Sequence, residues 1–437
     1  MGTSPFLLLI NPWIYDFAAH DFFARPLGLL YLASFLKSQG CEVHLLDCLD
    51  APHTRAGPFG TGRYPKEVLP IPAALQGIPR RYGRYGISEA DFKARLEAMP
   101  QPPDAILITS LMTYWYPGVQ AAIRLAREYF PATPVILGGI YVTLCPEHAR
   151  QCSGADVVIT GPGEEAIISH LNAAGLLSLN PQKAADFDSL PYPALHLLSL
   201  LPYLPVLTSR GCPLNCSYCA SHLLQPRYQR HQPAAVAEEL RYWKERLGLQ
   251  DVAFYDDALL LDAENHLLVI LEELEQNGLS FRFHTPNGLH ACLITRVVAR
   301  WLKRAGFTTL RLGVETVALG PERLDHKLQV GELEDALANL KEAGFRQEEI
   351  GVYLLLGLPD QKEEEVINSI RRVKQLGGSP VLAQYSPIPG TALWPQAVAT
   401  SRYDLQSDPL FHNNSLFPCW PEFSWERYTN LKRLAAD

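Results

Sequence analysis

The stretch P-V-L-T-S-R-G-C-P-L-N-C-S-Y-C, from Pro205 to Cys219, runs from an apolar strand directly into a loop with three cysteines. Cys212, Cys216 and Cys219 are spaced four and then three residues apart, and a glycine and a proline allow the tight turns of so short a loop. Three thiols this close in sequence indicate a metal site. Because the loop follows a strand, the pattern predicts a parallel α/β domain whose functional side chains lie beyond the carboxyl ends of its strands.

Two kinds of metal site fit this spacing. His222 follows Cys219 by three residues and would complete a Cys₃His zinc site. Alternatively, the three thiolates bind a four-iron cluster and leave one iron open to a substrate or cofactor. A disulfide would leave one cysteine unpaired. The remaining six cysteines have no metal-like spacing, as expected of thiols in a reducing compartment: Cys41, Cys48, Cys145, Cys152, Cys292 and Cys419.

The run C-x-x-x-C-x-x-C, with Tyr218 just before its last cysteine, resembles the signature loop of the radical S-adenosylmethionine enzymes. The resemblance implies that Cys212, Cys216 and Cys219 bind a [4Fe-4S] cluster. It also implies that the open iron chelates the amino and carboxylate groups of S-adenosylmethionine. It therefore favours an iron–sulfur cluster over zinc.

Composition limits the class of protein. The chain has 437 residues, of which 47% are hydrophobic and 19% are charged, as in globular proteins with more than one domain. A net charge of −8 provides no basic field to attract nucleic acid. No apolar run approaches the ~18 residues that suggest a transmembrane helix. We expect a cytoplasmic protein with neither a membrane nor a nucleic acid as its partner.

The first 175 residues alternate short apolar strands with helices, which predicts an α/β fold with a doubly wound, Rossmann-like parallel sheet. An insertion at about residues 50–103 is rich in Pro, Gly, Arg and Tyr and is too long for an ordinary connection. The predicted strands are Pro5 to Asn11, Glu42 to Asp47, Ala105 to Ser110, Pro134 to Leu137 and Asp156 to Thr160.

Four motifs in this segment together resemble the cobalamin-binding domain found at the front of many radical S-adenosylmethionine proteins. They are R-P-L-G-L-L-Y-L-A at 25–33, T-S-L-M-T at 109–113, L-G-G at 137–139 and G-P-G-E-E-A at 161–166. Glycines at strand ends would let a flat corrin lie against the backbone. The resemblance implies cobalamin contacts at Thr109, Ser110, Gly138, Gly139, Gly161, Gly163 and Glu164.

One departure from that domain concerns the cobalt ligand. Cobalamin domains that ligate cobalt with histidine carry D-x-H-x-x-G after the first strand, and this run is absent here. His20 lies in the corresponding loop, but Asp16 and Gly28 stand at the wrong distances from it. The sequence therefore favours cobalamin without a protein histidine on cobalt, or no cobalamin. A polar loop residue is the simpler interpretation of His20.

The second half begins after a proline-punctuated linker at 176–203 and predicts a partial barrel of six (β/α) units over 204–396, followed by a C-terminal region at 397–437. The cysteine loop follows the first strand of this barrel. The predicted strands are Pro205 to Ser209, Asp251 to Asp256, Ser280 to His284, Thr309 to Glu315, Ile350 to Leu356 and Val381 to Ser386.

Polar residues follow several of these strands. The resemblance implies that Glu315, ending the fourth strand, and Asn287, after the third, hold the ribose of S-adenosylmethionine, since a carboxylate can accept both hydroxyls. It places Tyr218 and the stretch Gln384, Tyr385 and Ser386 near adenine. A surface ion pair is the alternative for Glu315. Asp256, after the second strand, either contacts the cofactor or, with Asp257, caps the following helix.

The sequence thus predicts a cobalamin-dependent radical S-adenosylmethionine enzyme, which cleaves S-adenosylmethionine reductively to a 5′-deoxyadenosyl radical. It would methylate an unactivated carbon of a small-molecule or peptide substrate and take electrons from a donor such as flavodoxin or ferredoxin. Radical chemistry without methylation, with cobalamin absent or in another role, is the first alternative. A zinc-loop binding or scaffold protein is the second, from a different class.

Overall fold

A computed structural model describes residues 4–177, 187–317 and 327–436. The chain divides into two compact units, one of residues 1–202 with 407–412 and one of residues 203–406 with 413–437. Residues 407–412, which the sequence assigns to the C-terminal region, therefore belong to the first unit. The predicted linker falls partly on residues 178–186, outside the described residues, and the predicted domain boundaries stay a prediction.

The first unit contains a five-stranded parallel sheet and two small antiparallel sheets. Its strands are β1 (Phe6–Asn11), β2 (Ile14–Asp16), β3 (His20–Asp21), β4 (Glu42–Asp47), β5 (Arg55–Ala56), β6 (Gly62–Arg63), β7 (Lys66–Val68), β8 (Gly83–Tyr85), β9 (Ala105–Ile108), β10 (Val135–Leu137) and β11 (Val157–Val158). Its helices are α1 (Leu27–Ser38), α2 (Glu89–Glu97), α3 (Tyr116–Tyr129), α4 (Ile140–Leu144), α5 (Pro146–Cys152) and α6 (Gly163–Ala173).

The parallel sheet has the strand order β11-β10-β9-β1-β4, with β1 paired in parallel to β4 and β9. Residues Phe6 to Ile10 of β1 are completely buried, as a central strand covered on both faces requires. The predicted Rossmann-like sheet is confirmed. The carboxyl ends of its five strands form one edge, where ligands of such sheets bind.

The insertion at 50–103 is folded. It supplies β7 and β8 to a sheet with β2, and β5 and β6 to a sheet with β3. Arg84, Tyr82 and Tyr85 are buried there, and Arg84 pairs with both Glu67 and Glu89. Since β2 and β3 lie in the loop after β1, the insertion fixes the backbone of that loop.

The second unit is an open, barrel-type sheet of six parallel strands in the order β12-β15-β16-β17-β18-β19. Its strands are β12 (Leu204–Val206), β13 (Ser209–Arg210), β14 (Gln229–Arg230), β15 (Asp251–Phe254), β16 (Arg282–His284), β17 (Phe307–Glu315), β18 (Ile350–Leu356) and β19 (Ser379–Gln384). Its helices are α7 (Ser221–Leu224), α8 (Pro233–Leu247), α9 (Leu267–Gln276), α10 (Arg296–Ala305), α11 (Glu332–Glu342), α12 (Glu363–Gln375), α13 (Trp394–Thr400) and α14 (Trp425–Ala436). The six predicted (β/α) units are confirmed.

Side chains alternate between the two faces of each barrel strand, and on β17 the two faces differ in burial. On β17, Leu310, Leu312 and Val314 are completely buried against the helical layer. Arg311 and Glu315 alternate with them and are half-buried. We call the face that carries Arg311, Gly313 and Glu315 the inner face.

The C-terminal region packs on the last strand of the barrel. Helix α14 contacts β19 and α12, and so covers an edge strand that would otherwise expose unpaired backbone groups. Aromatic rings pack together beside it: Phe417, Trp420, Phe423, Trp425 and Tyr428. Among the described residues, no helix has both the length and the apolar run that crossing a membrane requires.

Candidate active site

The cysteine loop is held at its base by a short ladder between β13 and β14. Gly211 adopts φ 80°, and a Cβ there would lie 2.9 Å from the carbonyl oxygen of Arg227. A larger residue would therefore be both strained and crowded. Within the loop, the Cys219 amide donates to the Cys216 carbonyl at 3.0 Å, and the Ser221 amide donates to the Cys219 Sγ at 3.4 Å.

The three thiols are present as free cysteines, with Cys216 buried and the other two half-buried. Burial raises the pKa of Cys212 and of Cys219, the charge of Asp257 adds to that rise, and the charge of Lys327 opposes it. Nucleophilic cysteines have a lowered pKa, whereas a metal binds the thiolate and displaces the proton. The loop is therefore better suited to metal binding than to nucleophilic chemistry.

Within the described part of the chain, no three histidine, cysteine or acidic side chains converge closely enough to hold one metal ion. A zinc site needs four donors within about 2.0–2.3 Å of a single ion. A cluster instead presents a separate iron to each of three thiolates. His222, the predicted fourth zinc ligand, lies in α7.

Glu315 ends β17 in an unusual conformation. Its φ is 66°, and a register shift occurs between Gly313 and Glu315. A Cβ at Gly313 would lie 3.3 Å from the Glu315 Oε1, so the carboxylate is turned over the inner face. A non-glycine residue in the left-handed region carries strain that typically marks functional sites.

Lys327 joins Glu315 to the cysteine loop. Its Nζ lies 3.6 Å from the Glu315 Oε1, and both side chains are only 12–13% exposed. The same ammonium group lies 5.6 Å from the centre of the Tyr218 ring. The structure thus brings Tyr218, Glu315 and Lys327 together beside the thiols. Lys327 was missed in the sequence because it belongs to no motif; its one signal is a cation in the loop after the fourth strand.

Asp256 is buried and supports the start of the cysteine loop. Its carboxylate accepts from the Thr208 amide at 3.1 Å and from the Thr208 and Ser209 hydroxyls at 2.7 Å. Burial raises the pKa of Asp256 to about 6, and these hydrogen bonds oppose the rise. Asp257 bonds to the Ser221 hydroxyl. Both carboxylates thus bond to the segments that flank the loop.

Asn287 follows β16 and is exposed. Its Nδ2 donates to the carbonyl oxygens of Tyr255 at 2.8 Å and Asp256 at 3.3 Å. The amide nitrogen therefore joins the ends of β15 and β16. The side-chain oxygen of Asn287 accepts no hydrogen bond from the described residues, so it remains available as an acceptor.

The predicted adenine residues lie at the end of β19. The amide of Gln384 donates to the Tyr428 hydroxyl on α14. Tyr385 is buried, its amide donates to the Leu356 carbonyl at 2.9 Å, and burial raises its pKa. Among the described residues its hydroxyl has no hydrogen-bond partner. These residues adjoin Gly357, where a Cβ would lie 3.1 Å from the Phe417 ring.

In the first unit, the ends of β9 and β10 are joined closely. The Ser110 hydroxyl donates to the Gly138 carbonyl at 2.7 Å. Gly139 has φ 100°, and a Cβ there would lie 2.4 Å from the Ser110 carbonyl oxygen. Thr109, the residue before Ser110, lies at the same edge, and its amide donates to the Ile10 carbonyl at 3.1 Å. Only glycine fits at position 139.

A second contact extends this edge to the end of β11. The Thr143 hydroxyl donates to the Gly139 carbonyl at 2.8 Å and accepts from the Gly161 amide at 2.9 Å. No atom lies within 4 Å of a Cβ built at Gly161 or Gly163. Glu164 is half-buried in the first turn of α6. The glycines therefore line an open edge rather than a packed core.

Two large apolar side chains are exposed in loops at the same edge. Phe22 follows β3 in the loop between β1 and α1 and is 67% exposed, and Met112 follows β9 and is 45% exposed. Exposed apolar groups beside a bare backbone edge suit a broad, flat and partly apolar ligand. The residues present therefore fit a corrin. Exposed His20 pairs through its backbone with Arg63 and stacks on Phe22.

The C-terminal segment also contributes to the first unit. His412 is buried, and its Nδ1 lies 2.9 Å from the Thr113 hydroxyl, while Asp408 accepts from the Tyr116 hydroxyl at 3.1 Å. Thr113 ends the T-S-L-M-T motif. No pattern in the sequence indicated that residues 407–412 would bond beside it.

Comparison with protein families agrees with both units. Residues 206–373 match the radical SAM superfamily, and residues 87–169 match the B12 binding domain. Together the two matches span more than half of the chain. The family predicted from the cysteine loop and the strand-end motifs is confirmed, and with it the cofactor set of [4Fe-4S] cluster, S-adenosylmethionine and cobalamin.

Individual relatives differ in the reaction that their names give. An uncharacterized methyltransferase of Pyrococcus horikoshii, PH0819, is 27% identical over 75% of this chain and 73% of its own. An anaerobic magnesium-protoporphyrin IX monomethyl ester cyclase of Cereibacter sphaeroides is 22% identical over 67% of this chain, which spans about half (53%) of the cyclase.

The fold has a solved counterpart. The radical S-adenosylmethionine methyltransferase TsrM of Kitasatospora setae, solved with cobalamin and a [4Fe-4S] cluster and with tryptophan and a SAM analogue, is similar with a TM-score of 0.69. The similarity covers 99% of this chain and 89% of TsrM at 16% identity, so it bears on the fold alone. The two family matches identify a radical SAM domain at residues 206–373 and a B12-binding domain at residues 87–169 of this chain.

Proposed function

We propose that this protein is a cobalamin-dependent radical S-adenosylmethionine methyltransferase, which methylates an unactivated carbon of a small-molecule or peptide substrate. One observation supports the proposal above the others. A single chain carries both the three-cysteine loop after the first barrel strand and an open, glycine-lined edge in a B12-binding domain. When bound, the cluster with S-adenosylmethionine supplies a 5′-deoxyadenosyl radical and cobalamin supplies a methyl group.

In this proposal Cys212, Cys216 and Cys219 hold the cluster, and Glu315 accepts the ribose hydroxyls of S-adenosylmethionine. Lys327 neutralises part of the charge of Glu315 at 3.6 Å and holds its carboxylate in place. The oxygen of Asn287 is a second acceptor for the ribose. These groups bind and orient, since radical chemistry depends on position rather than on proton transfer.

Asp256 acts as a positioning residue. Its hydrogen bonds to Thr208 and Ser209 set the path of the chain three residues before Cys212. Tyr218 and the end of β19, with Gln384 and Tyr385, border the adenine. The Gln384 amide bonds to Tyr428, so its contribution to an adenine site would come from the backbone.

In the first unit, the backbone at Gly138, Gly139, Gly161 and Gly163 would carry the corrin, with Thr109, Ser110 and Glu164 beside it. Cobalt would have no histidine ligand from the chain. His20 supports this part of the proposal, because its strand pairing with Arg63 of the insertion and its stacking on Phe22 hold it in place. The nine free thiols suit a reducing compartment such as the cytoplasm. In that compartment, flavodoxin or ferredoxin would serve as the electron donor.

The proposal is tested by anaerobic reconstitution with iron and sulfide, followed by titration with S-adenosylmethionine and cobalamin. We expect micromolar binding of both and reductive formation of 5′-deoxyadenosine. The Cys216→Ala variant should bind cobalamin normally and form no 5′-deoxyadenosine. An intact cluster without cleavage of S-adenosylmethionine would contradict the assignment.

A second reaction is favoured by one observation, the similarity to the anaerobic cyclase. In that case the chain uses the same cofactors for radical chemistry without methyl transfer. The two proposals differ in one product, since methyl transfer from S-adenosylmethionine leaves S-adenosylhomocysteine. Formation of 5′-deoxyadenosine with no S-adenosylhomocysteine, in the presence of cobalamin, would support the second reaction.

A further inference from the structure

Arg311 is a half-buried cation on the inner face of the barrel. It stands on β17 opposite Gly351 of β18, and a Cβ at Gly351 would lie 2.8–3.1 Å from the Arg311 side chain. Glycine at position 351 therefore makes room for the guanidinium against the sheet. The side chain lies over the neighbouring strand rather than extending into solvent.

The guanidinium has no acidic partner in the described parts of the chain. Its Nη1 donates to the Leu310 carbonyl at 2.9 Å, and no carboxylate lies within salt-bridge distance of it. Arg282, on the adjacent strand β16, makes two hydrogen bonds to Asp251 at 2.7 and 2.6 Å. A partly desolvated arginine without a counter-charge is unfavourable, and its planar fork of donors matches a carboxylate or phosphate.

Tyr353 borders the same space. Its hydroxyl donates to the Pro286 carbonyl at 2.9 Å, so the side chain reaches from β18 across β17 to the loop after β16. Burial raises the pKa of Tyr353, and the charge of Arg311 opposes the rise. Tyr353 thus fixes one wall of the space in which the guanidinium lies.

We propose that Arg311, oriented by Tyr353, is an anion-binding subsite that recognises a carboxylate or phosphate group of the substrate. Arg311 lies four residues before Glu315 on one strand, and the register shift between Gly313 and Glu315 shortens this span to three steps of the neighbouring strand, or about 10 Å between their Cα atoms. Gly313 lies between them, with no side chain to block the inner face. The substrate is therefore an elongated anionic molecule whose charged group lies on the order of 10 Å from its reacting carbon.

This inference rests on the proposed function, because it names the substrate class of the same site. Its test uses binding rather than turnover. Cluster-containing protein saturated with S-adenosylmethionine is titrated calorimetrically with inorganic phosphate and, separately, with acetate at constant ionic strength. The wild-type protein should bind at least one probe at millimolar concentration, and the preferred probe tells a phosphorylated from a carboxylated substrate.

The variants separate a specific subsite from general charge effects. Arg311→Gln should weaken probe binding at least tenfold, Arg311→Lys should restore most of the phosphate affinity, and Tyr353→Phe should weaken binding severalfold. Arg282→Gln removes a strand arginine that already has a partner and should bind like the wild type. Equal binding by Arg311→Gln and the wild type would overturn the inference.

Two further outcomes keep this inference apart from the proposed function. If Arg311→Gln weakens S-adenosylmethionine binding as strongly as loss of Glu315, the anion is the carboxylate of the cofactor and the substrate assignment is wrong. If probe binding depends on Arg311 but the protein forms no 5′-deoxyadenosine, the subsite stands and the proposed function fails.

Discussion

Glu315 combines a binding role with backbone strain, and two substitutions separate these effects. Glu315→Gln removes the charge and keeps the side-chain shape and the φ of 66°. Glu315→Gly removes the carboxylate and also relieves the left-handed conformation. Both variants lose the ion pair with Lys327, so that loss cancels when they are compared.

The expected magnitudes follow from the structure. A non-glycine residue in the left-handed region costs about 1–2 kcal/mol, and glycine gives back roughly 0.4–1 kcal/mol through the freer unfolded chain. Glu315→Gly should therefore be more stable than Glu315→Gln by about 1 kcal/mol, or roughly 2–4 °C in melting temperature for a unit of this size. A hydrogen bond to a charged group contributes about 1.5–3 kcal/mol, so S-adenosylmethionine affinity should fall about 10- to 150-fold in both variants.

Thermal melting measures the difference in stability between the two variants, and anaerobic binding titrations measure the loss of S-adenosylmethionine affinity that both should share. Glu334→Gln, which removes an exposed helix carboxylate paired with Arg372, controls for the loss of one negative charge and should bind S-adenosylmethionine normally. Unchanged affinity in both Glu315 variants would remove Glu315 from the cofactor site. If Glu315→Gly melts at a lower temperature than Glu315→Gln, the left-handed backbone conformation at position 315 is not a source of strain.

Three other predictions use independent measurements. Replacing Cys212, Cys216 or Cys219 by Ala should abolish a cluster of about four irons and four sulfides, whereas exposed Cys292→Ala should retain it; iron analysis decides, and stoichiometric zinc in place of iron would contradict the cluster. The pKa of Asp256 is raised from 3.8 to about 6, so the folded protein keeps a proton that the unfolded chain releases, and the free energy of unfolding should fall by at most about 3 kcal/mol as the pH rises through this window. Asp256→Asn should flatten that part of the stability profile, and an identical profile would show that Asp256 does not titrate there. Electron paramagnetic resonance of bound cob(II)alamin should show no splitting from an axial nitrogen, of a histidine or of the cobalamin's own base, in the wild type or in His20→Ala, and nitrogen coupling would refute base-off, histidine-off binding.

The strands and the cysteine loop were predictable because their signals are local. Apolar runs such as Phe6 to Ile10 and Ile350 to Leu356 reveal buried parallel strands, and the three cysteines lie within eight residues of one another. The positions of Glu315 and Asn287 followed from counting strands, since parallel strands bring their carboxyl ends to one edge.

Contacts between distant residues were not predictable. Asp256 bonds to Thr208, 48 residues earlier, so its role in supporting the cysteine loop leaves no local pattern. Lys327 pairs with Glu315 across a loop that has no regular spacing. Residues 407–412 bond to the first unit although they follow the barrel in sequence, because tertiary contacts rather than propensity decide where such a segment packs.

Methyl transfer is tested most directly by following the methyl group of S-adenosylmethionine. Reconstituted protein is incubated under reducing conditions with cobalamin, methyl-deuterated S-adenosylmethionine and a fractionated small-molecule extract, and the products are analysed by mass spectrometry. We expect 5′-deoxyadenosine, S-adenosylhomocysteine and a product that has gained a deuterated methyl group. All three should require Cys212, Cys216 and Cys219, and the last two should also require cobalamin. Formation of 5′-deoxyadenosine without S-adenosylhomocysteine or any labelled product would contradict methyl transfer.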